Sequence, residues 1–198
     1  MHKSIWTTLN KNKTTNKNFE TDILIIGGGI TGITTMLYLL NQKKKVTLIE
    51  ANKIGNGITY KTTGKISIMQ EYNYQKIEKT INKEAAQKYL KSQIYAQNEL
   101  KKLIKKHHLK CDFEKNSSYL FTNDQNNIKK IIKEKEILEK QIKVETIQNL
   151  PNQYPCLYGI KAKESYVFNP LKYINEIKNI CETEVREKEA WVVIDEGR

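Results

Sequence analysis

The stretch Asp22-Ile-Leu-Ile-Ile-Gly27-Gly-Gly29-Ile-Thr-Gly32 constrains this chain more than any other segment. A short apolar run breaks into three consecutive glycines. A helical spacing of apolar residues follows at once, at Ile33, Met36, Leu37 and Leu40. A second apolar run, Val46-Thr-Leu-Ile49, ends on the acid Glu50. Strand, glycine turn, helix, strand and acid in that order form a cradle for an adenine dinucleotide. A glycine turn that merely packs a helix on a strand would not require the acid.

Each glycine has its own physical task. Gly27 lets the chain turn sharply out of the first strand. Gly29 carries no Cβ, so backbone amides can approach a pyrophosphate. Gly32 lets the helix pack close to the strand. The helix opening at Ile30 and Thr31 aims its unsatisfied amides and its positive dipole end at the phosphates. Glu50 is placed to accept hydrogen bonds from ribose hydroxyls. Its charge repels a 2′-phosphate, which argues against NADP.

Periodicity organises the remainder. A polar leader spans 1–21 and the nucleotide-binding unit 22–70. A helical and antiparallel-strand insertion spans 71–180, and the end is 181–198. Helix is expected over Ile30–Lys43 and strand over Lys45–Glu50. The segment from Ile54 to Lys65 is too polar and glycine-rich to be a regular element. Its small donors suit a phosphate or a cofactor ring, and a plain surface loop fits equally well. Helix follows from Tyr74 to His107 with a break near Asn82. Cys111–Glu114 and Ser118–Thr122 read as strands paired around a turn at Lys115-Asn116. Asn123–Gln141 reads as helix with Asp124 near its start, and Val144–Ile147 as strand. Pro151 and Pro155 mark a loop. Gly159–Phe168 is extended, Pro170 opens a helix to about Ile180, and Trp191–Ile194 reads as a strand. The whole is α/β, a βαβ unit with a second layer inserted into it.

Composition excludes more than it assigns. The net charge is +12, yet only Arg186 and Arg198 are arginines among the 34 cationic side chains. Scattered lysines without the planar arginine fork argue against a nucleic-acid surface. Cys111, Cys156 and Cys181 show no paired spacing, which fits a reducing compartment and no metal. His107 and His108 are adjacent, so on a helix they diverge and read as polar helix-end residues. No apolar run approaches the ~18 residues of a membrane span, and the leader lacks the apolar core of a signal peptide. The chain therefore reads as cytoplasmic.

Four pieces together resemble the FAD-dependent oxidoreductases of the D-amino-acid-oxidase type, the branch of glycine/sarcosine and γ-glutamylputrescine oxidases. They are Asp22–Gly32, Leu48-Ile-Glu50-Ala, the run Ile54-Gly-Asn-Gly57-Ile-Thr59 with Thr62-Thr63-Gly64-Lys65, and Phe168-Asn-Pro-Leu-Lys-Tyr173. The resemblance implies a Rossmann-like unit binding FAD. Gly27, Gly29, Ile30, Thr31, Gly32 and Glu50 would hold its ADP half, and Thr59, Thr62, Thr63 and Lys65 would lie along the pyrophosphate-to-flavin stretch. It implies oxidation of a small amine or amino acid by hydride transfer to flavin. Members of that family are longer, with a C-terminal segment that completes the sheet. On this resemblance the chain is an N-terminal portion, incomplete at its C-terminus. An NAD-linked dehydrogenase fragment and a non-catalytic truncated remnant are the alternatives.

Overall fold

A computed structural model describes residues 20–51, 53–151 and 154–186; side chains are described to 183. The expected strand at Trp191–Ile194 and nearly all of the polar leader lie outside these residues. The chain forms two compact units. Among the described residues, those within 1–64, 109–113 and 168–198 form one, and those within 65–108 and 114–167 form the other. The first crossing between units falls between Gly64 and Lys65, and the chain returns to the first unit twice.

The first unit is built on the glycine fingerprint. β1 (Ile23–Ile26) and β2 (Val46–Ile49) pair in parallel, Ile23 opposite Val46 and Ile26 opposite Ile49. Parallel neighbours need a crossover, and α1 (Ile30–Asn41) supplies it. Its apolar stripe buries Ile33, Met36 and Leu37. The helix stops where Lys43 turns left-handed at φ 59°. The segment expected to hold no regular element contains one helical turn, α2 (Ile58–Lys61), whose Thr59 is buried. The helix opened by Pro170, named α6 for its place in chain order, runs to Arg186, beyond the expected Ile180. It packs on α1 and α2 and buries Leu171, Tyr173, Ile174 and Ile177.

In the second unit four strands form an antiparallel sheet: β3 (Lys65–Ile66), β4 (Glu114–Thr122), β5 (Val144–Asn149) and β6 (Pro155–Val167). β6 is thirteen residues long and pairs with all three others. The expected hairpin around Lys115-Asn116 does not form. Glu114–Thr122 is one strand, with Lys115 opposite Tyr166 and Asn116 opposite Ser165 on β6. The polar residues that signalled a turn mark a shift in register between Asn116 and Ser118. A distant partner satisfies this backbone, so no local turn is required.

Helices α3 (Asn73–Thr80), α4 (Lys83–Lys106) and α5 (Gln125–Leu138) complete this unit. The break near Asn82 is a cap: its side chain accepts from the Ala85 amide at 2.8 Å. Asp124 caps α5 likewise, accepting from Asn126 at 2.9 Å. The core gathers Ile68, Met69, Tyr74, Leu90, Ile131, Leu138 and Ile160. Glu134 is wholly buried beside it, with its carboxylate at the start of α3.

Candidate dinucleotide-binding site

A cleft of about 630 Å³ opens beyond the last residues of β1 and β2, within the first unit. That is where a parallel βαβ unit presents its helix N-terminus to a ligand. Its lining includes Gly27, Gly29, Ile30, Thr31, Gly32, Glu50 and Thr59. The fold thus brings together seven of the ten residues expected from sequence. Thr62, Thr63 and Lys65 do not line this cleft. Thr62 closes α2 and accepts from the Gly64 amide at 3.5 Å; Thr63 is exposed, and Lys65 opens β3 in the other unit.

The glycine turn has the geometry its sequence requires. Gly27 lies at φ +103°, a region closed to most side chains, and donates to the Ile49 carbonyl at 2.8 Å. A Cβ on Gly32 would sit 2.0 Å from the Gly27 carbonyl oxygen, so no side chain fits there. Gly29 differs from both. Its φ is −74°, and a Cβ would meet only the Thr59 hydroxyl, at 3.4 Å. Glycine at this position keeps the face of the turn open instead of relieving strain.

Polar groups converge on that open face. The first amides of α1 have no intrahelical acceptor. The Ile30 amide donates to Thr59 Oγ1 at 3.1 Å. Thr31, Gly32 and Thr35 lie along the same helix edge. Glu50 reaches the turn, its Oε2 accepting from the Gly28 amide at 2.6 Å. The first turn of α1 carries no acid, so its positive end is uncompensated from within the helix. The arrangement suits an anion at the helix start and hydroxyl groups near Glu50. It also carries apolar surface: Ile26 and Ile58 line the cleft and are largely exposed.

Sequence reasoning missed Ile25, Ile26 and Thr35 as lining residues, whereas Asn56, Gly57 and Ile58 line the cleft from within the Ile54–Lys65 segment whose small donors were expected to suit a phosphate. Thr35 was legible in principle, since it stands one helical turn beyond Thr31 on the same edge. It also left Gly28 without a role, although both of its backbone groups are bonded. Among the described residues no cluster of three His, Cys, Asp or Glu is placed to hold a metal, and no helix is long and apolar enough to cross a membrane.

The family described as FAD dependent oxidoreductase (DAO) matches the chain over residues 22–190. The Bacillus subtilis (strain 168) protein YhfW, described as a Rieske 2Fe-2S iron-sulfur protein, is 32% identical over 159 residues, covering 80% of this chain and 31% of that one. The gamma-glutamylputrescine oxidoreductase of Escherichia coli (strain K12) is 27% identical over 112 residues, covering 56% of this chain and 26% of its own length. Among solved structures, glycine oxidase from Geobacillus kaustophilus superposes with a TM-score of 0.70 at 8% identity, over 88% of this chain and 46% of that one. That likeness shows the fold. The chain spans about a third or less of the curated relatives it matches.

Proposed function

The chain belongs to the DAO family of FAD-dependent oxidoreductases, and we propose that its cleft holds the ADP half of FAD for an enzyme that oxidises a small amine or amino acid. The observation that carries this reading is the open face of Gly29 at the start of α1, flanked by Glu50 and Thr59. In this assignment residues 22–70 are the FAD-binding Rossmann unit and 71–180 lead into the substrate-binding part.

The residues present fit an ADP group. The amides of Thr31 and Gly32, which have no intrahelical acceptor, offer donors to phosphate oxygens, and the absence of side chains at Gly27 and Gly29 leaves the approach open. Glu50 offers acceptors to ribose hydroxyls and disfavours a 2′-phosphate. Thr62, Thr63 and Lys65 belong to the same proposal as contacts further along the cofactor. The flavin supplies the redox chemistry when bound, taking hydride from the carbon next to a substrate nitrogen. The chain's contribution is to grip and orient the nucleotide end. Its three buried cysteines, none of them joined to another, support a reducing, cytoplasmic setting.

The test is a titration of the purified chain with FAD and separately with NAD, followed by visible absorbance and calorimetry. Uptake of FAD in preference to NAD supports the assignment. Tight NAD binding with no flavin uptake would sink it.

A further inference from the structure

Gly28 is the one glycine of the turn that does not line the cleft. Its amide donates to Glu50 Oε2 at 2.6 Å, and its carbonyl accepts from the Gly55 amide at 2.9 Å. A Cβ on Gly28 would meet buried Ile54 at 2.9 Å and Glu50 Cβ at 3.2 Å. Gly55 reaches this geometry at φ +82°. Two residues on, the Ile30 amide is held by Thr59 Oγ1 at 3.1 Å. Three bonds therefore run from the stretch after β2 to the glycine turn, and one of them is charge-assisted.

We infer that Glu50, Gly55 and Thr59 brace the glycine turn, fixing the backbone at Gly28 and Ile30 in its ligand-ready shape before any nucleotide arrives. Glu50 and Thr59 are thus positioning residues as well as groups that face the ligand. The physical reason is entropic. Three consecutive glycines have more backbone freedom than any other tripeptide, and ordering them on binding would weaken affinity. A turn already tied down before binding avoids that loss. The inference rests on the proposed nucleotide site, which gives the brace its purpose, while the brace itself is read from exchange in the ligand-free chain.

The test is amide hydrogen exchange on the ligand-free full chain, with inorganic pyrophosphate as a ribose-free probe. In Glu50→Ala the Gly28 amide exchanges about tenfold faster, the scale of one lost hydrogen bond. Glu50→Gln retains protection, because its amide oxygen still accepts. Pyrophosphate binds more weakly to Glu50→Ala than to the wild type. A carboxylate that only faced ribose would give the opposite sign, since removing its charge favours an anion. Thr59→Val frees the Ile30 amide and Thr59→Ser restores it, which carries the test if Glu50→Ala fails to fold. Exchange at the buried Leu37 amide stays unchanged, separating a local brace from general loosening. Equal Gly28 and Ile30 protection in wild type and variants overturns the brace. Failure of the wild type to bind FAD or ADP overturns the nucleotide reading instead, and leaves the exchange result to decide the brace on its own.

Discussion

The phenolic oxygen of Tyr173 lies 2.9 Å from Thr34 Oγ1, across 139 residues of chain. Tyr173 is wholly buried and meets Phe168 edge to face, with ring centroids 5.6 Å apart. The bond fastens α6 to the helix whose first turn faces the cleft. Tyr173→Phe should cost about 1 kcal/mol, the net worth of one hydrogen bond, and Tyr173→Ala about 3–5 kcal/mol through the cavity it leaves. Urea unfolding of the two variants checks the order. Burial, more than any neighbour, pushes the Tyr173 hydroxyl up to about 12. A raised folded value means that this group's contribution is intact below the ordinary tyrosine range near 10 and is lost as pH rises toward 12. Stability measured from pH 9 to 12 should fall less steeply in Tyr173→Phe.

Gly29 and Gly32 should respond to substitution in different ways. A Cβ at residue 32 would overlap the Gly27 carbonyl at 2.0 Å, and the atom it strikes is backbone. Gly32→Ala should therefore destabilise the first unit by about 3 kcal/mol or more. At residue 29 the backbone conformation suits any residue and the nearest atom is 3.4 Å away. Gly29→Val should fold with near-normal Tm and still lose nucleotide binding, because its methyls occupy the approach to the turn. Thermal melts and FAD titration of both variants separate the two effects. Normal FAD affinity in Gly29→Val would refute the assignment of the site.

The three cysteines should be silent in the folded protein. Cys111, Cys156 and Cys181 are buried, and burial ahead of nearby Asp112 raises the Cys111 thiol to about 11. Only a thiolate attacks a thiol reagent, and a buried thiol with a raised value supplies almost none at pH 8. Titration with an aromatic disulfide should be slow in buffer and should count all three thiols in guanidinium chloride. Rapid native reaction at any one of them would contradict the burial.

What could be read from sequence was local. The turn at Gly27 and the packing at Gly32 follow from backbone sterics within six residues, and the Asn82 break follows from a cap three residues from its donor. The missed features depend on contacts between distant residues. Thr59 meets Ile30 at a separation of 29 residues, and Glu134 meets Tyr74 at 60. The strand through Lys115 and Asn116 exists because β6 runs alongside it, which no periodicity within β4 announces. Family resemblance brought Thr59 to notice, but its grip on the Ile30 amide emerges only once α2 and α1 are placed together.

Glu134 is buried in the second unit and binds the start of α3. Its carboxylate accepts from the Tyr74 amide at 3.0 Å and from the Gln75 amide at 2.9 Å, capping α3 from a different helix. The Gln75 side chain adds a third donor at 3.2 Å. Glu134→Ala leaves the buried Tyr74 amide and the half-buried Gln75 amide without this acceptor and should cost about 2–4 kcal/mol. Glu134→Gln keeps one acceptor but turns an NH₂ toward a donor, and should cost less. Desolvation outweighs the three donors and raises the Glu134 carboxyl above its ordinary range. The contribution of a group raised in this way is fully present below its unfolded value, and is lost as pH rises through the folded one. Wild-type stability should therefore carry a component that declines upward from about pH 4.5, and Glu134→Gln should lack it. Denaturation midpoints between pH 4 and 8 measure that difference. Parallel pH profiles for the two proteins would show that the buried carboxyl is not shifted.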